Sequence, residues 1–259
     1  MSMSTALIGY SGFVGQTLLR QRKFEYLYRS SNIDEIQGRE FELVVCAGTS
    51  AKKWLANLEP KKDRENVNHL VENLRSIRCK KFILISTVDV FKNPVGVNEN
   101  SVVDETDLHP YGLNRRYLEN FVQEKFPSSL IVRLPGLIGP GLKKNIIYDF
   151  LNDNNLEKID SRSIFQFYPV VNLWYDIEIA IKANIRLLHL TAEPITVSDV
   201  AEYGFGKCFN QKSSDYITRY DMRTLYSSYY GTQSEYQSSV RDTLQAIRVY
   251  AQSEKLLQI

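Results

Sequence analysis

Short apolar runs alternate with amphipathic stretches through the first half of the chain. Residues 5–8, 41–45, 82–85 and 130–134 are compact and almost wholly apolar, as strands covered on both faces should be. Residues 24–29 (Phe-Glu-Tyr-Leu-Tyr-Arg) read as a further strand. Residues 16–20, 63–78 and 111–126 read as helices; in the second, Val67, Leu70, Val71, Leu74 and Ile77 recur at helical spacing. Strand–helix alternation implies an α/β fold, a doubly wound parallel sheet with right-handed crossovers. Residues 92–110 are polar and rich in turn formers, so they read as loop.

From about Leu142 the rhythm loosens. Residues 145–151 suggest a helix, 164–171 a strand, and 173–188 a helix behind an Asn172 cap. Thr196-Val-Ser-Asp199 looks like a capping-box helix start. Residues 234–257 read as a helix, with Val240, Leu244, Ile247 and Ala251 on one face. The tract 216–236 is rich in tyrosine and serine and reads as surface or substrate-side loop. No internal repeat is present. The expected division is residues 1–141 as a dinucleotide-binding domain and 142–259 as a mainly substrate-binding region, with elements returning to the sheet.

Gly9-Tyr-Ser-Gly-Phe-Val-Gly15 sits between the first strand and the first helix, the context that gives a glycine motif meaning. Gly9 takes the tight turn, Gly12 lets a pyrophosphate approach the backbone, and Gly15 brings the helix close to the sheet. Free N–H groups at the helix start then face phosphates. The spacing is GxxGxxG, and a plain packing turn is the alternative. Together these features predict a Rossmann-like, NAD- or NADP-binding fold with a small C-terminal region. Arg29-Ser30 ends the second strand, where a dinucleotide fold meets the adenosine ribose; an arginine there suits a 2′-phosphate, so NADP is expected over NAD. Ala47, Gly48 and Thr49 follow another strand and leave room for a ligand above the sheet.

Composition narrows the field. With 32 Lys+Arg against 30 Asp+Glu the net charge is +2, which argues against a nucleic-acid partner. No stretch approaches the ~20 apolar residues of a membrane span, and no basic n-region marks a signal peptide. Three widely spaced cysteines (Cys46, Cys79, Cys208) suggest reduced thiols and a cytoplasmic protein. The scattered His69, His109 and His189 make a metal centre unexpected.

Chemistry-bearing side chains fall at element ends: Thr87 after Ser86, then Tyr111, then Arg115 one helical turn on. A fixed cation beside a phenol favours the charged form, so the Tyr111 pKa is expected to fall. Such a group can exchange a proton with a sugar or alcohol oxygen while a nicotinamide handles hydride.

Here the sequence resembles the extended short-chain dehydrogenase/reductases, the NAD-dependent epimerase/dehydratase family. The glycine loop matches its cofactor loop, and Phe82-Ile-Leu-Ile-Ser-Thr-Val-Asp-Val-Phe91 its hydroxyl-bearing strand. Within the family that strand is most similar to the dTDP-4-dehydrorhamnose reductases, whose Ser-Thr-Asp-x-Val-Phe has Val88 here for the Asp. Asp104-Glu-Thr-Asp107 with Pro110-Tyr-Gly112, then Arg133-Leu-Pro-Gly-Leu-Ile-Gly-Pro-Gly141 and Asn172-Leu-Trp-Tyr-Asp176, follow in the family's order. The resemblance covers roughly the first 180 residues and the rest only loosely. It implies Thr87 orienting the substrate oxygen and Tyr111 as acid/base. It implies cofactor contacts from Gly9, Tyr10, Ser11, Gly12, Phe13, Val14, Gly15, Ala47, Gly48, Tyr111 and Arg115, with Pro135 and Leu137 flanking the nicotinamide. Substrates in the family are mostly nucleotide-linked sugars, and homodimers form through the helices at 63–78 and 111–126.

One position departs from the pattern: the family has Tyr-x-x-x-Lys, this chain Tyr111-Gly-Leu-Asn-Arg115. Arginine keeps the charge but is longer and planar. Two functions therefore stand: a nucleotide-sugar reductase or epimerase/dehydratase, or a cofactor-binding sensor or assembly protein without turnover. Arg115 has a structural alternative as well, an i, i+4 pair with Glu119.

Overall fold

The computed structural model describes residues 4–215 and 217–256. In chain order the elements are β1 Thr5–Ile8, α1 Phe13–Gln21, β2 Tyr26–Tyr28, β3 Glu40–Cys46, α2 Lys53–Leu58, α3 Pro60–Arg75 and β4 Arg78–Thr87. Then come β5 Val95–Val97, α4 Pro110–Lys125, β6 Ser129–Leu134, β7 Gly136–Ile138, α5 Ile146–Asn152, β8 Ile164–Phe165, β9 Phe167–Pro169 and α6 Leu173–Lys182. The last are β10 Leu187–His189, β11 Ile195–Thr196, α7 Val197–Asp199, β12 Asp221–Met222 and α8 Val240–Leu256. None of the described helices is long and apolar enough to cross a membrane.

The chain falls into two compact units. The first comprises Met1–Lys92, Val102–Arg133 and Leu173–Leu188. It carries a six-stranded sheet in the order β10-β6-β4-β3-β1-β2, a Rossmann-like α/β arrangement. β1 pairs in parallel with β2 on one side and β3 on the other, so strand order reverses at β1. All four β1 residues and all six of β6 are buried, because helices cover both faces. α3 buries Val67, Leu70, Val71 and Leu74 in the main core with Val44, Phe82 and Leu84.

A buried charge network ties α4 to the sheet. Glu119, fully buried, accepts from Arg133 Nε (3.0 Å) and Nη2 (2.7 Å), from Ser86 Oγ (2.5 Å) and from Arg116 Nη1 (3.1 Å). The Arg133 guanidinium also faces the Phe91 ring at 5.0 Å.

The second unit comprises Asn93–Ser101, Leu134–Asn172 and His189–Ile259. It is built from three two-stranded ribbons, β7–β9, β8–β11 and β5–β12, with α5 and α8. Buried Gln166 joins three of its segments: its Nε2 donates to Ala192 O (2.7 Å) and Met222 O (2.8 Å), and its Oε1 accepts from Met222 N (2.7 Å).

Several boundaries differ from the sequence-based expectation. The helix expected over 63–78 ends at Arg75, because Arg78 and Cys79 already pair with Glu40 and Phe41 of β3. The strand expected over 164–171 is two, since β8 pairs with β11 and β9 with β7. The helix expected over 173–188 stops at Lys182; Asn184 adopts φ 54°, and β10 then joins the sheet. The last helix begins at Val240 rather than 234, behind Ser239, whose Oγ accepts from Asp242 N at 3.2 Å. Its predicted end at Leu257 lies outside the described residues, as does Tyr216 of the tyrosine-rich tract. That tract holds β12, and the loop at 92–110 holds its partner β5. Thr196 does cap α7, accepting from Asp199 N at 3.1 Å.

Replacing Glu119 by Ala removes the buried counter-charge of Arg133. The expected loss is ~3–5 kcal/mol of unfolding free energy, read from the shift in urea midpoint; a change below ~1 kcal/mol would contradict this account of the network.

Candidate active site

The glycine turn builds the floor of a cleft in the first unit. Gly9 has φ 82°, and its N–H donates to Tyr28 O at 2.7 Å. A Cβ on Gly9 would stand 2.3 Å from Ala47 O, and one on Gly15 2.1 Å from Gly9 O. Both glycines are demanded by backbone packed on backbone. Gly12 differs: a Cβ there would meet only Gly9 O, at 3.5 Å. No side chain caps α1 behind Gly12, and no acidic residue stands in its first turn. The first-turn N–H groups lack intrahelical acceptors, and the helix dipole adds positive potential there.

The cleft, about 360 Å³, lies where strand order reverses. Of the expected residues, Gly9, Ser11, Gly12, Arg29, Ser30, Ala47, Gly48 and Thr49 line it. Arg29 Nε donates to Ser31 Oγ (2.9 Å), and its Cζ lies 6.0 Å from the Tyr10 ring. Phe13 and Val14 are half-buried in the first turn of α1. Gly15 is buried and serves close packing, against the turn itself rather than the sheet. Pro135 and Leu137 belong to the second unit, where Leu137 pairs with Tyr168. Asn66 and His69, one turn apart on the polar side of α3, also line the cleft and were not anticipated.

Thr87, Tyr111 and Arg115 come together at the carboxyl end of β4. His109 caps α4 by accepting the Gly112 N–H at Nδ1 (2.9 Å), and Pro110 begins the helix. Tyr111 N donates to Asn57 Oδ1 at 3.0 Å. The phenol lies near the Thr87 side chain, and Tyr111 is only 7% exposed. Arg115 lies over the Tyr111 ring, its Cζ 4.1 Å from the centroid. Its guanidinium pairs with buried Asp63 and donates to Ser50 O, and Ser50 also lines the cleft. The expected fall of the Tyr111 pKa does not occur. Burial raises it most; Arg115 and the Thr87 hydroxyl pull it down, while Asp89 and Asp63 push it up. Burial outweighs the arginine, so the phenol's pKa stays above the usual tyrosine value.

Sequence reasoning missed the acids around this pair. Asp63 also accepts from Asn114 Nδ2 (2.7 Å), and Asp89 pairs with Lys53 Nζ at 2.7 Å. Spacing carries no signal for partners fifty residues away. The alternative pairing of Arg115 with Glu119 is not formed; Arg116 and Arg133 hold that carboxylate.

This architecture is a Rossmann-like α/β fold shared with solved nucleotide-sugar enzymes. Among solved structures, the chain is similar to a UDP-N-acetylglucosamine 4-epimerase from Methanobrevibacter ruminantium in complex with UDP-N-acetylmuramic acid (TM-score 0.76, 11% identity, 99% of this chain and 99% of that one). It is similar to a dTDP-4-dehydrorhamnose reductase from Bacillus anthracis in complex with NADP (0.73, 13% identity, 98% and 99%). It is also similar to MoeE5 in complex with UDP-glucuronic acid and NAD (0.72, 14% identity, 97% and 99%). No protein-family profile matches the sequence, and no curated protein matches it.

The two glycines separate packing from binding. Gly15→Ala is expected to cost ~1–3 kcal/mol and several degrees of Tm by differential scanning fluorimetry. Gly12→Ala is expected to leave Tm within about a degree while weakening dinucleotide binding; equal Tm losses for both would refute the assignment.

Proposed function

We propose that the protein is an NAD(P)-dependent oxidoreductase acting on a nucleotide-linked keto sugar, as a reductase or an epimerase/dehydratase. The observation that carries this reading is a buried tyrosine beside a threonine at the carboxyl end of β4, under a stacked arginine, in the unit whose glycine turn leaves an open cleft at the strand-order reversal. The residues suit a dinucleotide: exposed Gly12 has no wall before it, and the first turn of α1 offers unpaired amides. Those amides would hold the pyrophosphate, and Arg29 with Ser30 the adenosine ribose. When bound, the nicotinamide would give or take hydride. Thr87 would hold the substrate oxygen by its hydroxyl, and Tyr111 would pass it a proton. Arg115, clamped by Asp63 and Ser50, would fix the tyrosine ring. The second unit is assigned to substrate recognition.

The clamping of Arg115 favours a second reading, a cofactor-binding protein with little turnover. One experiment separates the two. With NADPH and a dTDP-linked 4-keto sugar, Tyr111→Phe is expected to lower the rate by ~10²-fold or more. An unchanged rate removes Tyr111 from the mechanism, and tight cofactor binding with no hydride exchange by the wild type supports the second reading.

Arg29 is proposed to confer NADP preference. Arg29→Ala should weaken NADP about tenfold or more while leaving NAD within about twofold, read by calorimetry; equal wild-type affinities for the two cofactors would end this proposal. Pro60, Lys61, Arg64, Pro110 and Leu113 line a groove on α3 and α4, and on α2 Trp54 is 67% exposed and Leu58 70%. These features support a homodimer through that face; a monomeric mass by light scattering would refute it.

A further inference from the structure

Among the described residues, Arg29 is the one lysine or arginine lining the cleft, and no aspartate or glutamate lines it. The chain carries no acid between Glu25 and Asp34. A carboxylate at the end of this strand suits a ribose with a free 2′-hydroxyl, whereas an arginine there suits a 2′-phosphate. An arginine at the surface still has to be aimed. Its long stem samples many rotamers, and ordering them at the moment of binding weakens affinity. Whatever fixes Arg29 beforehand is therefore part of ligand selection.

The turn that carries Arg29 is pinned in both directions. Asn32 N donates to Arg29 O at 3.0 Å, and Arg29 N donates to Asn32 Oδ1 at 2.8 Å. Asn32 Nδ2 donates to Leu27 O at 3.1 Å, and Leu27 pairs with Leu7 of β1. The bond from Gly9 N to Tyr28 O then holds this turn in register with the glycine loop. The side chain is fixed separately. Arg29 Nε donates to Ser31 Oγ at 2.9 Å, and the Tyr10 ring of the glycine loop stands 6.0 Å from Cζ. Among the described residues, none accepts a hydrogen bond from Nη1 or Nη2. An arginine held at Nε keeps its two terminal nitrogens side by side, the edge that grips a phosphate through parallel N–H groups.

We propose that Ser31 determines the ligand preference of the cleft by holding the Arg29 guanidinium at Nε, so that its terminal nitrogens are set for the 2′-phosphate of an NADP-type ligand. The proposal rests on the dinucleotide reading of the cleft. Ser31 acts through Arg29, so it is a positioning residue. Without its hydroxyl the guanidinium turns freely on its stem and has to be ordered by the ligand itself. That cost falls on a ligand that uses the guanidinium and spares one with a plain ribose. Threonine in place of Ser31 keeps the acceptor oxygen, whereas alanine removes it.

The test uses the full chain, and neither readout needs turnover. By calorimetry, Ser31→Ala should weaken NADP and 2′,5′-ADP about fivefold while NAD and 5′-ADP stay within about twofold. Ser31→Thr should restore the wild-type preference. Ser31 is exposed, so Ser31→Ala should keep Tm within about a degree. NADP binding unmoved by Ser31→Ala overturns the proposal, and so does an equal loss for both dinucleotides, which would mark damage to the turn. The second readout is ¹⁵N NMR of the ligand-free protein. The Arg29 Nε–H signal, assigned with Arg29→Lys, should exchange with water about threefold faster or more in Ser31→Ala than in the wild type; equal exchange overturns the clamp. If Arg29→Ala weakens NADP and Ser31→Ala does not, the dinucleotide reading stands and the proposal alone falls. If Arg29→Ala leaves NADP unmoved, the role of Arg29 falls and the proposal with it, whatever the NMR shows.

Discussion

The cleft depends on one close approach of backbone to backbone. β1 and β3 run side by side, and Gly9 leaves β1 against the carbonyl of Ala47 at the end of β3, with no room for a Cβ. Gly15 then presses α1 onto the same turn. Because three backbone segments occupy that volume, the space beyond Gly12 stays open, bounded by Arg29 and Ser30 on one side and by Thr49 and Ser50 on the other. A methyl group at either tight position would widen the turn and tilt the amides that face the opening.

The second constraint is electrostatic. Placing an arginine at position 115 brings a permanent charge into a site where it is 3% exposed, and burial of an unpaired guanidinium costs several kcal/mol. Asp63 supplies the counter-charge and Ser50 O an acceptor, so the ion is paired. Burial, more than that pairing, explains why the nearby phenol is not acidified. Arg115 pulls the phenol's pKa down, but the burial of Tyr111 outweighs it, with Asp89 and then Asp63 adding to the rise.

A fold shared with solved structures at 11–16% identity illustrates how few residues such an architecture demands. Buried strands need only apolar bulk, and many side chains satisfy that. The turn glycines are different, since only a hydrogen in place of Cβ fits the measured gaps.

Much was legible along the chain itself. Continuous apolar runs announced β1, β3, β4 and β6, because a strand covered on both faces cannot alternate, and the glycine spacing announced the turn, because its requirement is local. Tyr111 and Thr87 were legible for the same reason: each stands at the end of an element whose type the sequence declares. Tertiary structure alone decided the rest. The break at Asn184 and the split of 164–169 into two strands reflect which partner each segment met, a property of no local window. The pairing of Arg115 with Asp63, and of Lys53 with Asp89, joins residues 52 and 36 positions apart, and the burial of Tyr111 set the sign of its pKa shift. Sequence determined which groups the site would contain; burial and long-range pairing determined which of them would carry charge.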